Sequence, residues 1–360
     1  MTDKEIDMST PRPRRLRAWF AAATVAAATL TGGAAFAQEQ VLNLYSARHY
    51  QTDERLYGDF TKATGIRINR VDADDAGILA RLKAEGSASP ADVILLVDAA
   101  RLWRAEQDGL FQPVKSSVLE QRVPAQFRGA DAGQGSQWFG FSTRARVLVV
   151  DPARVKPEQV DTYEKLADPA LKGLVCMRSG SHPYNLSLFG SMLEHLGADK
   201  TEAWLRGVQA NLARDPKGGD TDQIRAVASG ECAVAVTNSY YYARLIRSTN
   251  PADKAVVDKT RAVFPNQSLW GTHVNISGGA VARHAKNRDA AVKFLEYLAS
   301  DGAQRYFADG NNEYPTVAGI VTENPALTAM GRFKAETVPV AKVGANTAQV
   351  QMMLDRVGFK

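Results

Sequence analysis

The chain carries eleven tyrosines in 360 residues, and three are consecutive: Tyr240, Tyr241 and Tyr242, in Thr237-Asn-Ser-Tyr-Tyr-Tyr-Ala-Arg-Leu245. The preceding run, Cys232 to Thr237, reads as a strand, which puts the three rings in the loop at its carboxyl end and the first turn of a following helix. Tyr184, in Arg178-Ser-Gly-Ser-His-Pro-Tyr-Asn185, lies just beyond a second expected strand, Leu174 to Met177. His49 and Tyr50 lie just beyond the first strand of the chain. Open α/β sheets bind ligands at the carboxyl ends of their strands, so all of these side chains can face one cleft. A phenol has a pKa of about 10, so a cluster of phenols is a poor anion site but an excellent one for a hard, highly charged cation that deprotonates them. Fe(III) is the obvious such ion. Aromatic packing at a helix start is the other reading of a tyrosine run.

The elements that must position these residues alternate. Strand Val41 to Tyr45 precedes a helix Asp53 to Thr64 that Gly65 ends; strand Ile66 to Val71 precedes a helix Ala76 to Glu85 that Gly86 ends. Strand Asp92 to Val97 then leads to a helix Ala99 to Asp108 before Gly109. Strands separated by helices of about ten residues imply parallel sheets covered on both faces, hence an α/β class. The run Trp138 to Val150 is long enough to leave one lobe and enter another, and Ile276 to Ala282 reads as a returning strand. Between them come helices around Leu186 to Leu196, Thr201 to Asn211 and Thr221 to Ser229; an amphipathic helix, Arg288 to Ala299, follows the returning strand. A chain of this length exceeds one hydrophobic core, and no Gly/Ser linker divides it, so two lobes joined by crossing strands around a hinged cleft are expected. The expected division is residues 38–140 with 276–330 in one lobe, 141–275 in the other, and 331–360 as a C-terminal helical segment.

Other chemistries find little footing. There is no G-x-G-x-x-G after the first strand, no Walker A, no G-x-S-x-G elbow and no H-E-x-x-H, and Ser46 and Ser179 have no evident His–acid partners. A hydrolase or other enzyme is therefore not expected. Gly218-Gly219-Asp220-Thr221 looks like a phosphate cradle, but a turn followed by an Asp220 or Thr221 N-cap explains it better. The first residues have the form of an export signal: Arg12, Arg14, Arg15 and Arg17, then a small-residue and apolar run from Ala18 to Leu30, then Ala35-Phe36-Ala37. Removing residues 1–37 lowers the formal net charge from +5 to +3, which gives no footing for nucleic-acid binding. The expectation is a secreted protein beginning near Gln38, exported by the Sec route rather than the twin-arginine one, with no membrane span in the mature chain. Cys176 and Cys232 are either buried small hydrophobes or a disulfide joining neighbouring strands.

The motifs in order are Tyr45-Ser-Ala-Arg-His-Tyr50, Asp92-Val-Ile-Leu95, Ser142-Thr-Arg-Ala-Arg-Val147, Val175-Cys-Met-Arg-Ser179, Gly218-Gly-Asp-Thr-Asp-Gln223, Asn238-Ser-Tyr-Tyr241, Gly271-Thr-His-Val-Asn275 and Asn312-Glu-Tyr-Pro315. Over nearly the whole mature chain this set resembles the periplasmic ferric-iron-binding proteins of ABC import systems, in the branch with a His-Tyr pair in the first loop known from cyanobacterial iron uptake. The resemblance implies a two-lobed class II periplasmic-binding-protein fold, like a transferrin lobe, closing on one Fe(III). It also implies a monomer that hands iron to an inner-membrane ABC permease. The ligands it implies are His49, Tyr50, Tyr184, Tyr240 and Tyr241, with Tyr242 left to packing. Ser181-His182-Pro183 departs from the family pattern and makes His182 a further candidate. Four phenolates and a neutral imidazole leave Fe(III) with a net charge of −1, which a nearby cation would stabilise; Arg144 is favoured over Arg48, Arg178 and Arg244. His195 and His284 are expected to be solvated, and His273 to be a cleft-wall or hinge residue. An anion, polyamine or thiamine-like solute is the alternative, but an anion site built on helix N-termini and Ser, Thr and Arg would leave the tyrosines unused.

Overall fold

The computed structural model describes residues 40–48, 50, 52–131 and 133–360. The export signal read in residues 1–37 and the candidate ligand His49 lie outside the described residues. Among the described residues ten strands form the sheet: β1 Val41–Ser46, β2 Arg67–Asp72, β3 Val93–Leu96, β4 Phe111–Gln112, β5 Phe139–Val150, β6 Val175–Cys176, β7 Val234–Asn238, β8 Arg261–Val263, β9 Val274–Ala282 and β10 Tyr314–Pro315. Their order is β2-β1-β3-β9-β5-β7-β6, with β4 on β9 and both β8 and β10 on β5.

The expected alternation of strands and helices is present. The sheet, however, is not wholly parallel. β1, β2 and β3 run parallel, as do β6 and β7, but β5 and β9 are antiparallel to every strand they touch. A strand buried on both faces reads as a continuous apolar run in either direction, so sequence pattern could not reveal the reversal. β5 is wholly buried over its 12 residues; Phe139 to Ala145 pair with β9, and Arg146 to Val150 pair with β7.

Two large cores flank this strand. One gathers β1, β3 and β9 with Phe60, Trp138, Phe139 and Phe294. The other gathers Leu148, Val150, Phe189, Met192, Trp204 and Val234, and takes in Val350, Met353 and Leu354 from the C-terminal helix Thr347–Val357. Helix ends follow local rules: Gly65 closes the helix Asp53–Thr64 with φ 73°, the left-handed conformation glycine adopts without strain, and the Asp74 carboxylate accepts from the Gly77 N–H at 2.7 Å to open the helix Asp75–Glu85. Cys176, at the end of β6, and Cys232, just before β7, form a disulfide with Cα atoms 5.9 Å apart, joining the neighbouring parallel strands. Among the described residues no helix is long and apolar enough to cross a membrane.

Candidate metal centre

Tyr184 is carried by a helix, not by a loop. Pro183 stands at its first position, where a missing N–H does no harm, and the helix Pro183–Leu196 therefore starts earlier than periodicity suggested. His182 caps it: Nδ1 accepts the Tyr184 N–H at 3.2 Å, and the imidazole meets the Tyr184 ring edge-on at 4.5 Å. Burial, with Arg178 adding to it, pushes the His182 pKa down to about 3. His182 is thus a neutral helix cap with its Nδ1 lone pair already engaged, not a side chain free to join the site through that atom.

Tyr240 and Tyr241 occupy the first turn of the helix Ser239–Arg247, immediately after β7, as expected. Their rings lie 4.1 Å apart, and the hydroxyls of Tyr240 and Tyr184 stand 3.3 Å from each other. Tyr242 points elsewhere and donates to the Thr260 carbonyl at 2.8 Å, buried. Tyr50 arrives from the other side, between β1 and the helix Asp53–Thr64, and its ring packs edge-on against Tyr240 at 6.3 Å. Four of the five expected ligands, Tyr50, Tyr184, Tyr240 and Tyr241, are therefore gathered in one place. Tyr50 and Tyr241 also line an open hollow of about 830 Å³, together with Thr221, Arg244 and Arg247.

Beneath the phenols lie two buried ion pairs that one strand supplies. Arg144 and Arg146 are two residues apart on β5 and so share a face. Arg144 reaches Glu313 at 3.1 Å, and Arg146 reaches Asp220 at 2.6 Å; all four side chains are almost wholly buried. Arg144 also donates to Ser277 and to the carbonyls of Val97 and Ile276, which fixes it under the cluster. Its guanidinium lies 5.8 Å from the Tyr184 ring, with Arg146 at 6.0 Å and Arg178 at 5.1 Å. Arg48 lies over the Tyr50 ring at 5.0 Å, and exposed Arg244 near Tyr240 and Tyr241 at 5.9 and 5.5 Å.

These surroundings keep the phenols protonated. Burial pushes the Tyr184 pKa up to about 12, with Arg144 pulling the other way. Tyr50 and Tyr240 are raised well above the usual value, first by burial; for Tyr240 the neighbouring Tyr184, Tyr50 and Tyr241 add repulsion, and for Tyr50 the Glu313 carboxylate does so. Crowded phenolates cannot coexist here without a strong positive charge among them. Among the described residues no three His, Cys, Asp or Glu side chains gather as a metal cage.

Some residues carry roles that sequence reading missed. Glu313 accepts from the Tyr50 hydroxyl at 2.9 Å and from Ser142 at 2.6 Å. Asp220 is neither a phosphate cradle nor an N-cap, since Gly219 takes the cap position; its carboxylate instead binds Arg146, Arg178 and the Asn238 N–H. His195 is only partly solvated: half-buried, it stacks on Trp270 at 3.9 Å and bonds Glu336 at 3.0 Å. The same carboxylate pairs with buried His273, which immediately precedes β9, and these contacts hold the Glu336 pKa down to about 2 despite burial. His284 is exposed, as expected.

Residues 56–335 match the model of the bacterial extracellular solute-binding proteins. The chain is 47% identical over 323 residues to iron uptake protein A1 of Synechocystis, an alignment covering 90% of this chain and 88% of that protein. It superposes with a TM-score of 0.85 on the Trichodesmium protein IdiA (FutA) in complex with iron and citrate, at 47% identity and covering 89% of this chain and 100% of that one. The ferric binding protein of Campylobacter jejuni gives a TM-score of 0.81 at 38% identity, with 89% and 100% covered. With the mixed sheet, the paired cores and these likenesses, the fold is the two-lobed class II periplasmic-binding-protein architecture, and the chain belongs to the bacterial extracellular solute-binding proteins, within their ferric-binding-protein group.

Proposed function

We propose that this protein binds Fe(III) in the periplasm and delivers it to an inner-membrane ABC permease, acting as a carrier and not as an enzyme. The observation that carries the reading is the meeting of Tyr50 with Tyr184, Tyr240 and Tyr241 above buried Arg144, in a place where ionised phenols need a cation. The similarity to iron uptake protein A1 and to an iron-bound IdiA (FutA) supports the same cargo. Iron is held by four phenolates from Tyr50, Tyr184, Tyr240 and Tyr241 and by the His49 imidazole, hard donors that suit a small trivalent ion. The protons that Tyr50, Tyr184 and Tyr240 carry in the metal-free protein leave as iron enters. Arg144, fixed on three sides, offsets the net negative charge of the filled site.

Release follows from the same design. Tyr50 belongs with β1, whereas Tyr184, Tyr240 and Tyr241 belong with β6 and β7, so rotation about β5 and β9 parts the ligand set. Purified mature protein loaded with Fe(III)-citrate is expected to take on the broad visible band of phenolate-to-Fe(III) charge transfer and to contain one iron per chain by elemental analysis. Colourless, iron-free protein after loading defeats the reading.

A further inference from the structure

We propose that Arg146 is a positioning residue for the helix-borne phenols, holding the first turns that carry Tyr184 and Tyr240 in a fixed relation to each other; this rests on the ligand role given to Tyr184 and Tyr240 above. The guanidinium is buried where three helix starts meet. Nη2 donates to Asn185 Oδ1 at 2.6 Å, and Asn185 directly follows Tyr184 in the helix Pro183–Leu196. Nη1 donates to Oδ1 of Asn238, the residue that precedes the helix Ser239–Arg247, at 3.1 Å, and to Oδ2 of Asp220, the first residue of the helix Asp220–Ser229, at 2.6 Å. Asp220 in turn accepts the Asn238 N–H at 2.7 Å, and Asn185 Nδ2 donates to the carbonyls of Arg178 and Ser179 at 2.9 and 3.0 Å. None of these bonds uses a tyrosine hydroxyl, so the network persists when the phenols ionise.

Arg146 is itself fixed from behind. It stands on β5 opposite Asn238 of β7, and its backbone N–H donates to the His273 carbonyl at 2.9 Å. Each helix sets the direction of the tyrosine in its own first turn, but a single ion also needs the two turns at a set distance from each other. The pairing of β6 with β7 ends at Cys176 and Ala235, short of the helix starts at Pro183 and Ser239. The Arg146 side chain carries that link forward to both starts, because its planar fork of donors has fixed directions that a flexible ammonium lacks. Asp220 pairs with its charge, so what the guanidinium contributes to the phenols is geometry.

The test is a double-mutant cycle in the full mature chain. Arg146→Lys keeps the positive charge facing Asp220 but loses the fork that spans Asn185 and Asn238. Asn238→Ala is the milder probe: its Nδ2 has no partner among the described residues and its side chain does not cap the helix, so the change removes the one bond accepted from Arg146. Each is made alone and with Tyr184→Phe; Fe(III) affinity by citrate competition, the position of the charge-transfer band and the melting temperature of iron-free protein are measured. Arg146→Lys is expected to weaken Fe(III) binding about 10- to 100-fold and to shift the band, and Asn238→Ala to do the same to a smaller extent, with most of either loss gone in the Tyr184→Phe background. A lowered melting temperature with affinity and band unchanged would reduce Arg146 to a structural part and overturn the proposal. Equal losses in both backgrounds would overturn it too, by showing that Arg146 does not act through Tyr184. If Arg146→Lys fails to fold, the Asn238→Ala cycle decides by the same criteria. Failure of the parent reading looks different: unmodified protein takes up no iron, or Tyr184→Phe binds it as tightly as the parent.

Discussion

Tyr184, Tyr240 and Tyr241 ride on the first turns of two helices that follow the paired strands β6 and β7, whereas Tyr50 belongs to neither a strand nor a helix and leans on a network of four charged side chains, Glu313, Arg144, Arg48 and Asp53. The first group is placed by local backbone. Once a strand ends and a helix starts, the direction of a residue in its first turn is set to within a rotamer. The second is placed by contacts between residues as far as 263 apart in the chain. A site can thus be rigid on one side through secondary structure and on the other through buried charge, and the two devices fail under different substitutions.

Among the substitutions, the largest effect is expected from the helix-borne side. Changing Tyr240 and Tyr241 together to Phe removes two anionic donors while keeping both rings, and should lower Fe(III) affinity by on the order of 10⁴-fold, given the ~12 kcal/mol of a tight protein metal site. Circular dichroism should be unchanged. Retained binding in titrations with Fe(III)-citrate would mean that these helix starts do not hold the metal.

Protons come next and act on both sides at once. Phenols raised above their usual pKa are protonated in the metal-free protein throughout pH 5–8, so each ligating tyrosine releases a proton on binding and affinity must rise with pH. Equilibrium dialysis should show affinity falling by about tenfold per pH unit for each phenol that ligates as the medium is acidified from 8 to 5. A flat profile contradicts phenolate ligation on either side.

Tyr50→Phe and His49→Ala then compare neighbours within the charge-held side. Tyr50→Phe should cost about 100-fold in affinity, and His49→Ala about tenfold with the colour kept and its band shifted, because an uncharged imidazole can be replaced by water. Equal, severe losses would make His49 a full structural ligand.

The disulfide sharpens the contrast differently, since it joins the strands β6 and β7 that lead into the tyrosine-bearing helices. Replacing Cys176 and Cys232 with Ser opens a 56-residue loop and should lower unfolding stability by about 4 kcal/mol, read by denaturant titration, while iron affinity stays near that of the parent. A large loss of affinity would show that the crosslink, and not the helix starts, places these phenols. The smallest effect belongs to Tyr242→Phe, which removes the bond donated to the Thr260 carbonyl and the one accepted from Thr260 Oγ1, about 2 kcal/mol of stability, with no change in iron binding.

Much of this was legible in the sequence, for identifiable reasons. β-Branched runs, glycine-ended helices and the Tyr240–Tyr241 pair are local signals, and the structure keeps them. Glu313 was not legible as a partner of Tyr50, because it is one of 39 acidic residues and its contacts are made only when the end of the helix Asp301–Asn311 meets β5. His195 looked solvated because its own helix gives no sign of Trp270 or Glu336, which arrive from 75 and 141 residues away. The helix start at Pro183 was readable in principle from proline's place in first turns, but the serines and glycine before it suggested a loop.

The unbroken course of β5 has a thermodynamic consequence. A strand buried along its whole length, paired in its first half with β9 and β10 and in its second with β7 and β8, can bend but cannot become a random coil without loss of both cores. Ordering one backbone residue costs about 1–2 kcal/mol, so a floppy tether of ten residues that froze on capture would subtract most of the free energy the donors provide. Here that ordering is complete when the chain folds. Capture spends little conformational entropy, and the strength of binding is left to donor chemistry.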